Sequence, residues 1–198
     1  MKRIIFIFVI FFSSAVDSDE KITTVATVNN ITITNTDLED EMLILKALNN
    51  FKEIERSILH QSAFQNLLNQ AIKEVELEVN KVEINEDTDE NQMTANIKKT
   101  LEDNGIKPTR IINKIKKRTQ TEKAWKLLIS KKYSWKLNIN MNEINQKLNT
   151  LGYIDQNNPE TIKAKNNLII EEKNKKFNFY SRNHLDLSKK KLLIKIIR

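Results

Sequence analysis

The stretch Val25-Ala26-Thr27-Val28-Asn29-Asn30-Ile31-Thr32-Ile33-Thr34-Asn35-Thr36-Asp37-Leu38 constrains the fold more than any other. Two short β-branched runs flank an Asn-Asn pair, and asparagine tolerates the positive φ that a two-residue hairpin turn requires. The second run passes directly into a helix start, for which Thr36 is the expected cap and Glu39 its capping-box partner. The segment therefore reads strand, tight turn, strand, helix. A two-stranded hairpin is marginal in water by itself. The other strong strand candidate is the last stretch, Leu192 to Ile197. The expectation is a mainly α fold with one small three-stranded sheet, in which Leu192–Ile197 returns to pair with Val25–Val28 and Ile31–Thr34.

Two glycines and two prolines are too few for a β-sandwich full of tight turns. They suit long helices. A first helix is expected from Thr36 to Leu48, with Leu38, Met42 and Leu45 on its apolar stripe. A second runs from about Lys52 to Val79 and would be roughly 40 Å long at the usual rise per residue. After Val82-Glu83-Ile84, the acidic run Asn85 to Glu90 opens a third helix, where the dipole favours carboxylates. That helix carries Met93, Ile97 and Leu101 and stops at Asn104-Gly105. Pro108 is expected as first residue of a fourth helix. Its stripe of Ile111, Ile112, Ile115, Thr119, Glu122, Trp125, Leu128 and Ile129 is apolar at both ends and polar in the middle. Lys114, Lys116, Lys117 and Arg118 fall mostly off it. After Tyr133 and Trp135 the chain is expected to be extended through Leu137 and Ile139. Asn140 with Glu143 caps a fifth helix ending at Leu151-Gly152, and Asn158 with Pro159 begins a lysine-rich sixth.

The first residues read as an export signal. Lys2-Arg3 form the positive region, Ile4 to Phe12 the apolar region, and Ser13-Ser14-Ala15 a small-residue cleavage site, with Ser18 a second candidate. Nine apolar residues are too few to span a bilayer. The expected organisation is a signal peptide at 1–15, a helical domain at 16–152, and a C-terminal helix and strand at 153–198 that pack back on it. This places the protein outside the cytoplasm. With no cysteine, it has neither disulfides nor a thiol nucleophile. The formal charge of +7 is concentrated in the tail: from Pro159 onward there are 11 Lys and Arg against 4 Asp and Glu.

Little in the sequence points to catalysis. His60 and His184 are the only histidines, and neither has a serine elbow or an orienting partner nearby in sequence. No His or Cys spacing suits a metal. The acidic run at 85–90 lacks the central glycine and terminal glutamate of a calcium loop. Two glycines cannot build a phosphate cradle. The tail lysines interleaved with Phe177, Phe179 and Tyr180 fit nucleic acid, but an export signal argues against that partner. No cofactor, nucleic acid or small-molecule substrate is expected. What remains is apolar surface rich in methionine and aromatic residues, which serves equally as plain core or as an adaptable groove for unfolded chains.

The order of these features resembles the SurA family of periplasmic chaperones. The likeness rests on the opening Val25 to Leu38, on Leu67-Leu68-Asn69-Gln70-Ala71-Ile72 with Leu77, and on Val82-Glu83-Ile84-Asn85-Glu86-Asp87. It continues in Ile111 to Trp125, in Leu137 to Ile144, and in the tail from Glu171 to Ile196. The resemblance implies a long-helix chaperone domain onto which the C-terminal helix and strand fold back. It implies a periplasmic, ATP-independent holdase for unfolded outer-membrane β-barrel chains, acting alongside the membrane machinery that assembles them. The client crevice is expected to be lined by Met42, Leu45, Phe64, Met93, Ile112, Trp125 and Trp135. The family's parvulin prolyl isomerase domains have no counterpart, since only Gly152 to Asn158 separates the fifth helix from the sixth, so a non-catalytic chain is expected. The alternatives are an envelope adaptor that docks through its basic tail and, last, a residual isomerase.

Overall fold

The hairpin forms where the β-branched runs lie. In a computed structural model, which describes residues 21–84, 92–155 and 157–197, β1 is Thr24–Val28 and β2 is Ile31–Thr34. The stretch at 1–15 read as an export signal and the acidic run at 85–90 lie outside the described residues. Asn29 takes the left-handed conformation at φ 50°. It has a second task. Its amide donates to the Leu193 carbonyl and its side-chain carbonyl accepts from the Leu193 amide, both at 2.9 Å. The returning strand β3, Ile194–Ile196, is thereby clamped beside β1. The sheet order is β2-β1-β3, antiparallel throughout, with Val28 opposite Ile194 and Ala26 opposite Ile196. The fold is mainly helical with this small sheet, and the pairing of chain start and chain end is the one read from the sequence.

Six helices follow the expected order: α1 Asn35–Leu48, α2 Arg56–Val79, α3 Gln92–Asp103, α4 Thr109–Lys132, α5 Met141–Thr150 and α6 Pro159–Lys191. Several starts differ. The cap of α1 is Thr34, two residues before the expected Thr36. Thr34 is the last residue of β2 and already extended, so its hydroxyl accepts from the Asp37 amide while its own amide donates to the Asp37 carboxylate. α2 begins at Arg56 because Asn50 and Phe51 both turn left-handed and the Phe51 amide returns to the Lys46 carbonyl. Phe51 then packs against the α1–α3–α4 core. Pro108 stands outside α4 as its cap residue, and Trp135 sits in a 3-10 turn, Ser134–Lys136, before the stretch that was expected to be extended. Asn140 caps α5 and Asn158 caps α6 as read.

Three apolar clusters hold these elements. The inner face of the sheet (Ala26, Val28, Ile33) lies on Leu68, Ala71, Ile72 and Val75 of α2. The first end of α4 (Ile111, Ile112, Ile115) joins Ile44 and Ala47 of α1 with Ile97 and Leu101 of α3. Its second end (Ala124, Trp125, Leu128, Ile129) joins Leu77 of α2, with Tyr133, Phe177, Tyr180 and Leu185 at the margin. This explains the broken stripe of α4. Its two apolar ends serve different cores.

The second half of α6 is anchored by polar contacts into the third cluster. The Trp125 indole donates to the Ser181 hydroxyl at 2.8 Å. The Tyr133 hydroxyl lies 3.1 Å from Nδ1 of His184, and Nε2 of His184 lies 3.3 Å from Glu76. Burial, with Lys132 and Lys191 nearby, lowers the His184 pKa against the opposing pull of Glu76.

Two outcomes follow from these contacts. Thr34→Ala removes both halves of the capping box and should cost ~1 kcal/mol in urea unfolding, whereas Thr36→Ala should change stability by less than about 0.5 kcal/mol. The depressed His184 value means that the native state refuses a proton which the unfolded chain accepts near pH 6.5. Stability should therefore be flat in this respect above about pH 6.5 and fall as pH drops below it. Urea titrations from pH 7.5 to 5, with NMR titration of the His184 ring, measure this.

Candidate functional site

Helix α1 carries acids on two of its most buried positions. Asp40 is 0% and Glu41 1% exposed, on the side that carries Ile44 and Ala47. A buried carboxylate is tolerable only when paired and hydrogen-bonded. The partners come from α4, where Arg110, Lys114 and Arg118 recur every four residues along one face. Arg110 meets Asp40 at 2.6 Å, and Lys114 bridges Asp37 at 2.7 Å and Asp40 at 2.6 Å. Arg118 pairs with Glu41, whose other oxygen accepts from the Asn66 side chain of α2 at 2.8 Å. Lys117 reaches Glu74 of α2 at 2.9 Å, and Lys73 of α2 pairs with Glu122 of α4. The cations off the apolar stripe of α4 thus form an ionic layer between the first two clusters.

A cleft opens beside this layer. Ile31 and Ile33 of β2 with Leu67 and Ala71 of α2 supply its apolar lining, while Lys114, Lys117 and Arg118 stand on its charged side with Asp37, Glu41 and Glu74. Its volume is about 170 Å³. The net charge of those six groups is zero, and each has an opposite partner. Burial raises the Asp37 carboxyl, but Lys114 and the hydroxyl and amide of Thr34 outweigh it and hold the group below its usual value. A second small cleft lies on the other side of Gln70 and Arg118.

The cleft also borders an open sheet edge. Asn29 and Val25 of β1 direct backbone groups to Leu193 and Ile197, so alternate positions of β1 serve β3 and the others serve β2. In an antiparallel pair closed at Val28–Ile31, Thr32 then falls at a non-hydrogen-bonded position. Its amide and carbonyl point away from β1, toward the cleft side. Thr32 is exposed.

The seven residues expected to line a crevice are not brought together. Trp125 is 1% and Ile112 8% exposed, and both belong to closed cores. Met42, Leu45 and Phe64 are half-buried, Phe64 at the margin of the sheet core. Met93 borders a separate groove between α1 and α3. Trp135 is 70% exposed in the turn after α4, with the Lys136 ammonium 4.7 Å over its ring. The seven therefore do not line one crevice. Apolar periodicity cannot tell residues that pack, such as Trp125 and Ile112, from those left exposed, such as Met93 and Trp135. The missed residues carried a signal of their own: acids at positions 37, 40 and 41 and bases at 110, 114 and 118 have matching helical spacing. Among the described residues, no three His, Cys, Asp or Glu gather as a metal site, and no helix is long and apolar enough to cross a membrane.

Compared with models of known protein families and with curated proteins, the chain has no match.

Removing one partner of the deepest pair should be costly. Arg118→Ala strands the Glu41 carboxylate and should destabilise by about 3 kcal/mol, while the double change Glu41→Leu with Arg118→Met should recover most of that loss. Urea unfolding of the two variants and the parent gives both numbers.

Proposed function

We propose that this chain is a non-catalytic periplasmic holdase, resembling the SurA chaperones, that binds unfolded outer-membrane β-barrel polypeptides without ATP. The observation that carries the reading is the open edge of β2 beside an apolar, charge-neutral cleft. An unfolded β-barrel chain offers unpaired backbone groups and alternating apolar side chains. The Thr32 amide and carbonyl supply hydrogen bonds to an added strand, and the lining of Ile31, Ile33, Leu67 and Ala71 accepts a side chain of that strand. A volume of about 170 Å³ holds one or two side chains, so each engagement is weak and tolerant of sequence.

The family likeness adds support through the order of its motifs, and the periplasmic address rests on residues 1–15. Since the charges lining the cleft neutralise one another, binding there should depend little on ionic strength. Prolyl isomerase activity is not part of the proposal.

The test is aggregation of a urea-diluted outer-membrane β-barrel protein, with stoichiometric mature chain, at low and high salt. Suppression that persists at high salt is the expected result. Thr32→Pro removes the outward amide without touching the bonds to β1, so it should abolish suppression while leaving the urea midpoint nearly unchanged. Suppression that disappears with salt would instead favour the adaptor, acting through its basic tail.

A further inference from the structure

The C-terminal ends of α2 and α4 present a surface of the opposite electrostatic character. Between them lies a groove of about 640 Å³ with Val82, Leu127 and Leu128 on its floor. Lys81, Lys131 and Lys132 stand on its rim, against Glu83 as the carboxylate of the lining. None of these three lysines has an ion-pair partner among the described residues. Cations at the end of a helix complement its dipole, which accounts for Lys131 and Lys132 in the last turn of α4. It does not account for the apolar side chains exposed among them. Leu127 is 46% exposed and Val79, at the end of α2, 69%. One turn beyond α4, Trp135 is 70% exposed beside Lys136.

Unpaired lysines around exposed aliphatic side chains and an outward indole match the chemistry of an anionic bilayer surface. There, ammonium groups meet lipid phosphates, tryptophan settles at headgroup depth, and lysine stems lie along apolar surface. We propose that this end of the molecule docks on anionic membranes, with Trp135 and Leu127 entering the headgroup region and Lys81, Lys131 and Lys132 contacting lipid phosphates. The docking surface is separate from the cleft beside β2, and the inference does not depend on the chaperone reading.

The chain is tested by co-sedimentation with vesicles of phosphatidylcholine alone and of phosphatidylcholine mixed with phosphatidylglycerol, over a salt series. Trp125 is buried, so a change in tryptophan emission reports Trp135. The expected result is binding to the anionic vesicles only, weakened by salt and accompanied by a blue shift. Lys131→Glu with Lys132→Glu should lower partitioning at least about tenfold, and Trp135→Ala should weaken it and remove the shift. Lys189→Glu with Lys190→Glu on α6 should leave binding in place. Circular dichroism establishes that each variant is folded; a misfolded variant is replaced by Lys131→Gln with Lys132→Gln, expected to weaken binding in the same direction. Equal binding to both vesicle types, no binding to either, or loss only with the α6 variant overturns the proposal. So does displacement by millimolar inorganic phosphate at constant ionic strength, which would mark a site for the free ion.

Discussion

The arrangement of the helices depends on neutralising the buried acids of α1. Asp40 and Glu41 lie where an apolar stripe would ordinarily be, and desolvating two carboxylates without partners would cost more than a domain of this size has to spare. Arg110, Lys114 and Arg118 answer them from a helix 70 to 77 residues later in the chain. This pairing fixes the rotation of α4 about its axis. Once Lys114 faces α1, Ile111, Ile112 and Ile115 fall into the α1–α3 core, and Trp125 and Ile129 fall into the core under α6. The ionic layer contributes register more than net stability, since a hydrophobic replacement of equal volume would hold the helices as well.

A second constraint closes the chain on itself. Asn29 turns the hairpin with its backbone and holds Leu193 with its side chain, 164 residues away. The short β3 makes few hydrogen bonds, and a strand of this length would not stay paired unaided. α6 supplies what is missing. Its 33 residues bring Leu185 and Leu192 to the apolar clusters before the strand begins, with Trp125, Tyr133 and Glu76 gripping Ser181 and His184 on the way. Sheet and helix therefore stabilise each other, and both depend on contacts between distant parts of the sequence.

Local chemistry was legible, and long-range chemistry was legible only where the hairpin demanded a third strand. The Asn-Asn turn, the Asn158-Pro159 start of α6 and the Asn104-Gly105 stop of α3 are decided by neighbouring residues, and they stand as read. The return of the last strand was legible too, because an isolated hairpin demands a third strand and the chain offers few. The cap of α1 was misplaced by two residues because Thr34 and Thr36 are equally capable caps, and only the strand geometry chooses between them. The buried face of α1 was missed for a deeper reason. Hydropathy periodicity assigns every carboxylate to solvent, and the cations that overturn this lie on another helix. The same rule sent Trp125 and Ile112 to the expected crevice when they are core, and gave no sign of the cleft that Ile31 and Ile33 line.

The distribution of paired and unpaired charge separates two kinds of surface on one small protein. At the cleft beside β2, every cation is already committed to a carboxylate of α1 or α2, so added salt acts on the fold before it acts on anything bound there. At the ends of α2 and α4, Lys81, Lys131 and Lys132 have no ion-pair partner among the described residues. The difference comes from the helices themselves. α1 and α2 present acids along the middle of α4, whereas among the described residues Glu83 is the acid lining the groove at its C-terminal end. Lysine content alone would have treated Lys117 and Lys131 as equivalent solvated charges. Lys117 is held to Glu74 as part of the helix packing, whereas Lys131 has no ion-pair partner among the described residues.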